Sequence, residues 1–183
     1  MIKKTRITKV YTRTGDEGST SLAKGERVSK DDPRITAIGL LDETNSVIGA
    51  ALAEGVVSEI AEVLEGVQHT LFNIGGALAM KGEDHTLVRE EHVSSLEAFL
   101  DGLNSSLPPL KEFVLPGGSK AGSHLHHARA VCRRAERDVV TLHKEEPIDS
   151  QILAYLNRLS DYLFVAARYQ NVTDGGNEEM WKR

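Results

Sequence analysis

The sequence predicts an all-α domain: a five-helix bundle preceded by an irregular N-terminal loop. Three observations predict it. Apolar residues recur at three- and four-residue spacing in five stretches after Pro33. No series of alternating apolar and polar residues competes with them. Residues 1–30, by contrast, are rich in Gly and hydroxyl side chains and carry little apolar periodicity.

Each helix follows from its stripe and its breakers. Ile35, Ile38, Leu41, Val47, Ile48 and Leu52 mark the first, ending near Gly55. Ile60, Val63, Leu64, Val67, Leu71, Ile74 and Leu78 mark the second, closing before Gly82; within it, Gly75-Gly76 implies either a close helix–helix approach or a local kink. Val93, Leu96, Phe99, Leu100 and Leu103 mark the third. Pro108-Pro109 and Pro116-Gly117-Gly118 then break the chain ahead of a long fourth helix with Leu125, Ala128, Val131, Ala135, Val139 and Leu142 inward. After Pro147, Asp149 or Ser150 can cap a fifth helix, whose stripe runs Ile152, Leu153, Leu156, Leu159, Leu163, Phe164 and Ala167. The domain is therefore read as one unit over residues 1–183: a loop at 1–30, a bundle at 31–170 and a polar, Gly-rich mobile tail at 171–183. A short extended piece is expected at Val10-Tyr11 inside the loop.

Charge and composition narrow the function. The net charge of −5 makes a general nucleic-acid binder a poor fit, because basic charge is local. No apolar run reaches the length of a membrane span, and Met1-Ile-Lys-Lys-Thr-Arg has no apolar signal region. The single cysteine, Cys132, has no partner for an internal disulfide; core packing is its first reading and a reactive thiol its second. A cytoplasmic protein is the resulting expectation.

Two segments carry chemistry. Arg129-Ala-Val-Cys-Arg133-Arg134-Ala-Glu136-Arg137 sets four guanidinium groups and one carboxylate into a helical segment. Arg129, Arg133, Glu136 and Arg137 share a face at three- and four-residue spacing. That face is either a polyphosphate clamp, because guanidinium forks match phosphate oxygens, or a solvated surface with intrahelical salt bridges. Thr12-Arg-Thr-Gly-Asp-Glu-Gly-Ser-Thr-Ser21 has the composition of an anion cradle, in which glycines let backbone N–H groups approach an anion. It lacks the Gly-x4-Gly-Lys-Ser/Thr pattern of Walker-type loops. His124 and His127 share a helical face and invite a metal hypothesis, yet no Glu-x-x-His pair supports a di-iron bundle; His124, His126 and His127 are read as residues of the helix N-terminus.

Taken together, Tyr11-Thr-Arg-Thr-Gly-Asp-Glu-Gly-Ser-Thr-Ser-Leu22, Leu41-Asp-Glu-Thr-Asn-Ser-Val-Ile-Gly49, Phe113-Val-Leu-Pro-Gly-Gly118, Arg129 to Arg137 and Tyr155-Leu-Asn-Arg-Leu-Ser-Asp-Tyr-Leu-Phe164 resemble the PduO-type ATP:cob(I)alamin adenosyltransferases (corrinoid adenosyltransferases) in order and approximate spacing. The resemblance runs from about Val10 to Gln170. It implies a homotrimer with active sites between subunits. It implies that Thr12, Arg13, Thr14, Gly15, Thr20, Ser21 and Lys30 hold ATP from the loop, and Arg133, Arg134, Glu136, Arg137 and Asn157 from the helices. Asp42 and Arg129 match a salt bridge that crosses the subunit interface, and Phe113 matches an aromatic beneath the corrin ring. Arg13 stands where some relatives carry Lys, and Thr36 where some place an acid.

The implied reaction moves the 5′-deoxyadenosyl group of ATP to the cobalt of cob(I)alamin, giving adenosylcobalamin and triphosphate. Mg²⁺ is expected to accompany the phosphates. A flavoprotein reductant and an adenosylcobalamin-dependent enzyme are the expected partners, with no nucleic acid and no membrane. The alternative is a non-catalytic bundle that binds ATP or cobalamin as a sensor or cofactor escort. From the residues alone, Asp42 also reads as an exposed carboxylate, Phe113 as a core aromatic and Lys30 as surface charge, whereas Asn157 falls in an apolar stretch where a buried amide needs partners.

Overall fold

A computed structural model describes residues 11–81, 88–176 and 178–182. It comprises two short strands, β1 (Ser19–Ser21) and β2 (Arg27–Ser29), followed by α1 (Pro33–Ala53), α2 (Ser58–Ala79), α3 (Glu90–Asn104), α4 (Lys120–Glu145) and α5 (Ser150–Thr173). All five expected helices are present. The leading segment departs from expectation. It folds as an antiparallel hairpin pairing Ser19 with Ser29, Thr20 with Val28 and Ser21 with Arg27. Tyr11 is not part of a strand, and Val10 lies outside the described residues.

The helix ends obey their caps. The Asp32 carboxylate accepts the Arg34 N–H at 2.8 Å, with Pro33 in the first turn. Asp149 decides the start of α5, accepting the Gln151 N–H at 2.9 Å. Helices α1, α4 and α5 form the centre of the bundle, with α2 against α1 and α3 against α5. The fourth stripe is buried as expected: Leu125, Ala128, Val131, Ala135, Val139 and Leu142 all face inward. Helix α1 buries a smaller-residue face than expected. Ala37, Leu41, Thr44, Ile48 and Ala51 are inside, while Ile35, Ile38, Val47 and Leu52 are only half-buried. Small residues let α1 approach α4 closely, and the bulkier Ile35 and Ile38 turn to the groove beside α2. Helix α2 runs unbroken through Gly75 and Gly76, and a Cβ at either would meet nothing within 4 Å. They open the α1–α2 groove rather than admitting a neighbour within the chain.

Polar contacts hold the hairpin and the segment after α5 to the bundle. Arg34 donates to the Leu78 carbonyl at 2.7 Å and to Glu146 at 2.5 Å, and Lys81 pairs with Glu26 of the hairpin at 3.3 Å. The expectation of a free tail from Asn171 is corrected here. Helix α5 continues to Thr173, and Asn171 is buried against the Pro-Gly-Gly turn, accepting the Ser119 N–H at 2.9 Å and donating to the Gly117 carbonyl at 2.9 Å. Beyond it, Glu178 forms a two-pronged salt bridge with Arg168, at 2.8 and 3.0 Å, and Arg168 is only 2% exposed. The Leu115 N–H then donates to the Glu179 carbonyl and the Trp181 N–H to the Phe113 carbonyl, each at 2.8 Å. The Gly-rich composition that suggested mobility instead lets the chain turn back across α5.

Asn171 reaches its partners because Gly122 carries no side chain. A Cβ there would lie 1.9 Å from Asn171 Oδ1. Gly122→Ala gains about 1 kcal/mol of helix propensity. The overlap forces out a buried, doubly bonded amide, so we expect a net loss of roughly 1–3 kcal/mol. Chemical denaturation of the variant measures it; equal or greater stability would contradict the packing described.

Candidate active site

The hairpin arranges the leading loop as a cradle. The Gly18 N–H donates to the Gly15 carbonyl at 3.2 Å, and the Lys30 N–H returns to the Gly18 carbonyl at 2.8 Å. Lys30 Nζ lies 3.3 Å from where a Gly15 Cβ would stand, so the absent side chain lets the ammonium close over the turn. Thr12 and Thr14 share a hydroxyl hydrogen bond of 2.8 Å. Arg13 sits at φ 62°, the one non-glycine residue with positive φ among the described residues, and its guanidinium lies 5.7 Å from the Tyr11 ring centroid. Such a backbone costs on the order of 1–3 kcal/mol and tends to persist where function over-determines it. A cleft of about 720 Å³ results, lined by Arg13, Thr14, Asp16, Glu17, Ser21 and Arg27. Thr20 sits half-buried opposite Val28, on the β1 side of this hairpin.

Sequence reasoning missed Arg27. Its guanidinium donates to the Thr14 carbonyl at 2.6 Å, to the Ser21 hydroxyl at 3.2 Å and to the Ser19 hydroxyl. In the sequence it is one charge in a polar run. Only the strand register sets it opposite Ser21.

On α4, Arg133 and Arg137 are exposed, and Arg129 and Glu136 are half-buried. Among the described residues, none of Arg129, Arg133 and Arg137 forms an ion pair with a carboxylate. Arg137 instead donates to the Arg133 carbonyl at 3.2 Å. The intrahelical salt-bridge reading of this face therefore fails. Arg134 points elsewhere and pairs with Glu43 of α1. Asn157 is exposed rather than buried, because it lies on the outer face of α5, and it donates to Glu136 at 2.9 Å. That bond fixes the carboxylate beside the cationic face.

Phe113 is 75% exposed, which removes its reading as a core aromatic. With Arg129, Phe164, Leu110, Val114 and Pro116 it lines a cleft of about 440 Å³. Trp181 meets the Phe113 ring edge-on at 6.4 Å, and the Arg129 guanidinium lies 5.9 Å from the Phe164 ring centroid. Burial and the neighbouring Arg133 lower the Arg129 pKa, and its Nε has no hydrogen-bond partner. Asp42 lies apart, exposed in the groove with Ile35, Ile38 and a 74%-exposed Phe72. Within one chain no ion pair joins Asp42 to Arg129, and no hydrogen bond joins Thr12, Arg13, Thr14, Gly15, Thr20, Ser21 or Lys30 to Arg133, Arg134, Glu136 or Arg137.

The buried groups nearby are poor reagents. Cys132 is fully buried and donates to the Leu156 carbonyl at 3.4 Å, and burial pushes its thiol up to about 12, as suits a packing residue. His126, only 2% exposed, is held down to about 4 by burial and then by Arg129, with Glu178 opposing. It packs against Phe164, whereas His124 is half-buried and His127 exposed. Among the described residues no group of three or more His, Cys, Asp and Glu could hold a metal ion. No helix of the described residues is long and apolar enough to cross a membrane.

A family model described as cobalamin adenosyltransferase matches residues 10–170. The chain belongs to that family. A corrinoid adenosyltransferase of Bacillus subtilis is 49% identical, covering 96% of this chain and 93% of the relative. A cobalamin adenosyltransferase of Cupriavidus metallidurans is 46% identical over 97% and 96%. Among solved structures, a PduO-type ATP:corrinoid adenosyltransferase from Lactobacillus reuteri, a phenylalanine-to-alanine variant complexed with cobalamin and ATP, superposes with a TM-score of 0.89 at 36% identity, covering 96% of this chain and 100% of that one. The five-helix family fold is thereby shown for this chain.

The depressed His126 pKa has a signed consequence for the family fold. Between pH 6.5 and about 4 the unfolded chain binds the proton that the native imidazole refuses. This contribution to stability is complete above 6.5 and is lost as the pH falls through 4. His126→Leu should flatten that part of the stability profile, which denaturant titrations at about pH 7 and about pH 5 would reveal. An unchanged profile would assign the acid sensitivity elsewhere.

Proposed function

We propose that the cationic face of α4 and the hairpin cradle grip the triphosphate of ATP while reduced cobalamin, seated on Phe113, attacks the ribose. The chain is thereby a corrinoid adenosyltransferase, moving the 5′-deoxyadenosyl group of ATP to the cobalt of cob(I)alamin. The observation that carries the residue assignment is the pair of guanidinium groups at Arg133 and Arg137, which form no ion pair with a carboxylate among the described residues. A polyphosphate supplies the missing charge.

Co(I) brings the electron pair, forms the Co–C bond to C5′, and the C5′–O bond breaks with its pair leaving on triphosphate. Cobalt is oxidised to Co(III) by that two-electron alkylation. The protein has to position and to stabilise. Holding both reactants in attack geometry supplies up to ~7–11 kcal/mol. Arg133, Arg137 and Lys30 face the charge that grows on the leaving oxygen. Thr12, Arg13, Thr14, Gly15, Thr20 and Ser21 hold the phosphates from the loop, and Glu136 and Asn157 complete the helical side; Arg134 would join them only by exchanging its Glu43 partner for phosphate. Asp16 and Glu17 give the cleft hard oxygen donors suited to Mg²⁺ riding on the phosphates, where it would offset their charge.

No hydrogen bond joins the cradle to the cationic face within one chain, which agrees with sites completed between subunits, and a homotrimer is the assembly we infer. Asp42 of one subunit would then face Arg129 of the next across the α1–α2 groove, where Phe72 is exposed. In the Phe113 cleft, an apolar ring keeps water and the lower axial ligand from cobalt. Four-coordinate Co(II) is easier to reduce because no axial donor raises the accepting orbital. A flavoprotein would deliver that electron, an adenosylcobalamin-dependent enzyme would take the product, and the cytoplasm is the compartment we assign.

The test is the absorbance change on mixing the protein with chemically reduced cobalamin and Mg-ATP, with triphosphate assayed in parallel. Ligand binding without triphosphate would leave the escort reading instead. Arg133→Ala should cut turnover by about 10²–10³ with the fold intact, the usual cost of one lost transition-state donor; normal turnover at saturating ATP would remove Arg133 from the site. Phe113→Ala should impair the reaction from Co(II) more than the reaction from prepared Co(I). Equal losses in the two assays would end its proposed redox role.

A further inference from the structure

The hairpin holds a cation that none of the roles above employs. Arg27 lies on β2, where the register sets it opposite Ser21. One guanidinium spans three acceptors from two separate stretches of the loop: the Thr14 carbonyl at 2.6 Å, the Ser21 hydroxyl at 3.2 Å and the Ser19 hydroxyl. It forms no ion pair among the described residues, although Asp16 and Glu17 line the same cleft. All three acceptors are neutral, and the bonds run across the mouth of the turn from Thr14 to Ser19.

That turn contains the backbone that would meet an anion. Gly15 and Gly18 close it, and Arg13 enters it at φ 62°. Strained backbone at the edge of a two-stranded ribbon does not hold itself, because an isolated hairpin is only marginally stable. A planar fork fixed at several points restrains both ends of such a turn. A lysine ammonium, a single point charge on a flexible stem, cannot reproduce those directions. By holding the Thr14 carbonyl, Arg27 also keeps that oxygen, a repulsive group for phosphate, hydrogen-bonded.

We propose that Arg27 is a positioning residue for the nucleotide: it staples Thr14 to Ser19 and Ser21 before ATP arrives, so that the amides and hydroxyls of the cradle are set for the triphosphate. The inference rests on the reading of this loop as the triphosphate cradle, and it adds how the cradle is preorganised. Arg27 acts through the loop and does not itself contact phosphate. The affinity gain is conformational: the loop is ordered in advance rather than at the moment of binding.

The test uses Arg27→Met, Arg27→Lys, Ser19→Ala and the Arg27→Met/Ser19→Ala pair in the full chain, with Lys30→Ala as the reference for phosphate contact. Arg27→Met should raise KM for ATP about ten-fold while kcat at saturating ATP falls by less than about three-fold. Melting temperature and cobalamin affinity should stay near the parent values, because the hairpin lies outside the bundle core. Arg27→Lys should restore little. Ser19→Ala should move KM in the same direction, and the double variant should show less than the summed effect. Faster amide hydrogen exchange across residues 14–21 in the nucleotide-free Arg27→Met protein would report the loosened loop directly. Three results would overturn the proposal. One is an unchanged KM in Arg27→Met while Lys30→Ala raises it. Another is full rescue by lysine. The third is a large effect of Arg27→Met with none from Ser19→Ala and no change in exchange, which would make Arg27 a direct phosphate ligand. If Lys30→Ala also leaves KM unmoved, the cradle reading falls with it.

Discussion

A positively charged helix face that the chain does not neutralise is the constraint behind this architecture. Guanidinium groups at Arg129, Arg133 and Arg137 repel one another across successive turns of α4, a repulsion eased by the bond from Arg137 to the Arg133 carbonyl and by Glu136 beside them. Like charges at this spacing cost helix stability, although water screens the exposed members. The helix bears that cost because its opposite face is wholly apolar. Leu125, Ala128, Val131, Cys132, Ala135, Val139 and Leu142 are buried between α1 and α5. Each large apolar side chain so placed contributes roughly 1.5–3 kcal/mol. The core thus holds a rod from which cations project, and the energy of the fold keeps that cationic face exposed.

The remaining parts of the site are irregular segments, and each is fixed to the bundle by polar contacts. The hairpin is tied through Glu26 to Lys81, while Arg34 joins the start of α1 to the Leu78 carbonyl and Glu146. The Phe113 segment is tied from the opposite side. Asn171 holds the Pro-Gly-Gly turn, Arg168 holds Glu178, and the chain from Glu179 to Trp181 pairs with Phe113 and Leu115. An exposed phenylalanine forgoes the free energy of burial. Its main-chain bond and its ring contact with Trp181 keep it presented over the cleft beside Arg129.

Much of this was legible in the sequence because helix periodicity is a strong signal. The five helices, the proline breaks and the Asp149 cap sit where their spacing places them, although α1 turns a smaller-residue face inward and Phe99 of α3 is exposed. The leading loop was legible as a cradle but not as a hairpin. Strands of three residues leave no periodicity to detect, so the β1–β2 register and with it the reach of Arg27 were invisible. The burial of Asn157 was misjudged because a stripe of Leu and Tyr residues surrounds it in sequence, while the helical turn carries the amide outward to Glu136. The tail was misread for a related reason. Gly175 and Gly176 suggest freedom, yet what decides the outcome is a buried partner on α5, Arg168, which pairs with Glu178 beyond them. Local composition cannot announce such a contact.

The state of the buried ionisable groups also bears on the division of labour between protein and substrate. The thiol of Cys132 and the phenol of Tyr155 are both pushed up to about 12 by burial. The imidazole of His126 is held down to about 4 and lies behind Phe164. Near neutral pH none of the three is a competent nucleophile or acid–base group, because each is locked in its neutral form by desolvation. The groups that remain at the clefts are cations, carboxylates, hydroxyls, amides and exposed aromatic rings, which can bind and orient a charged substrate. Reduced cobalt brings its own electron pair and needs no deprotonation, so it asks of such a site binding and orientation rather than a buried thiol or imidazole.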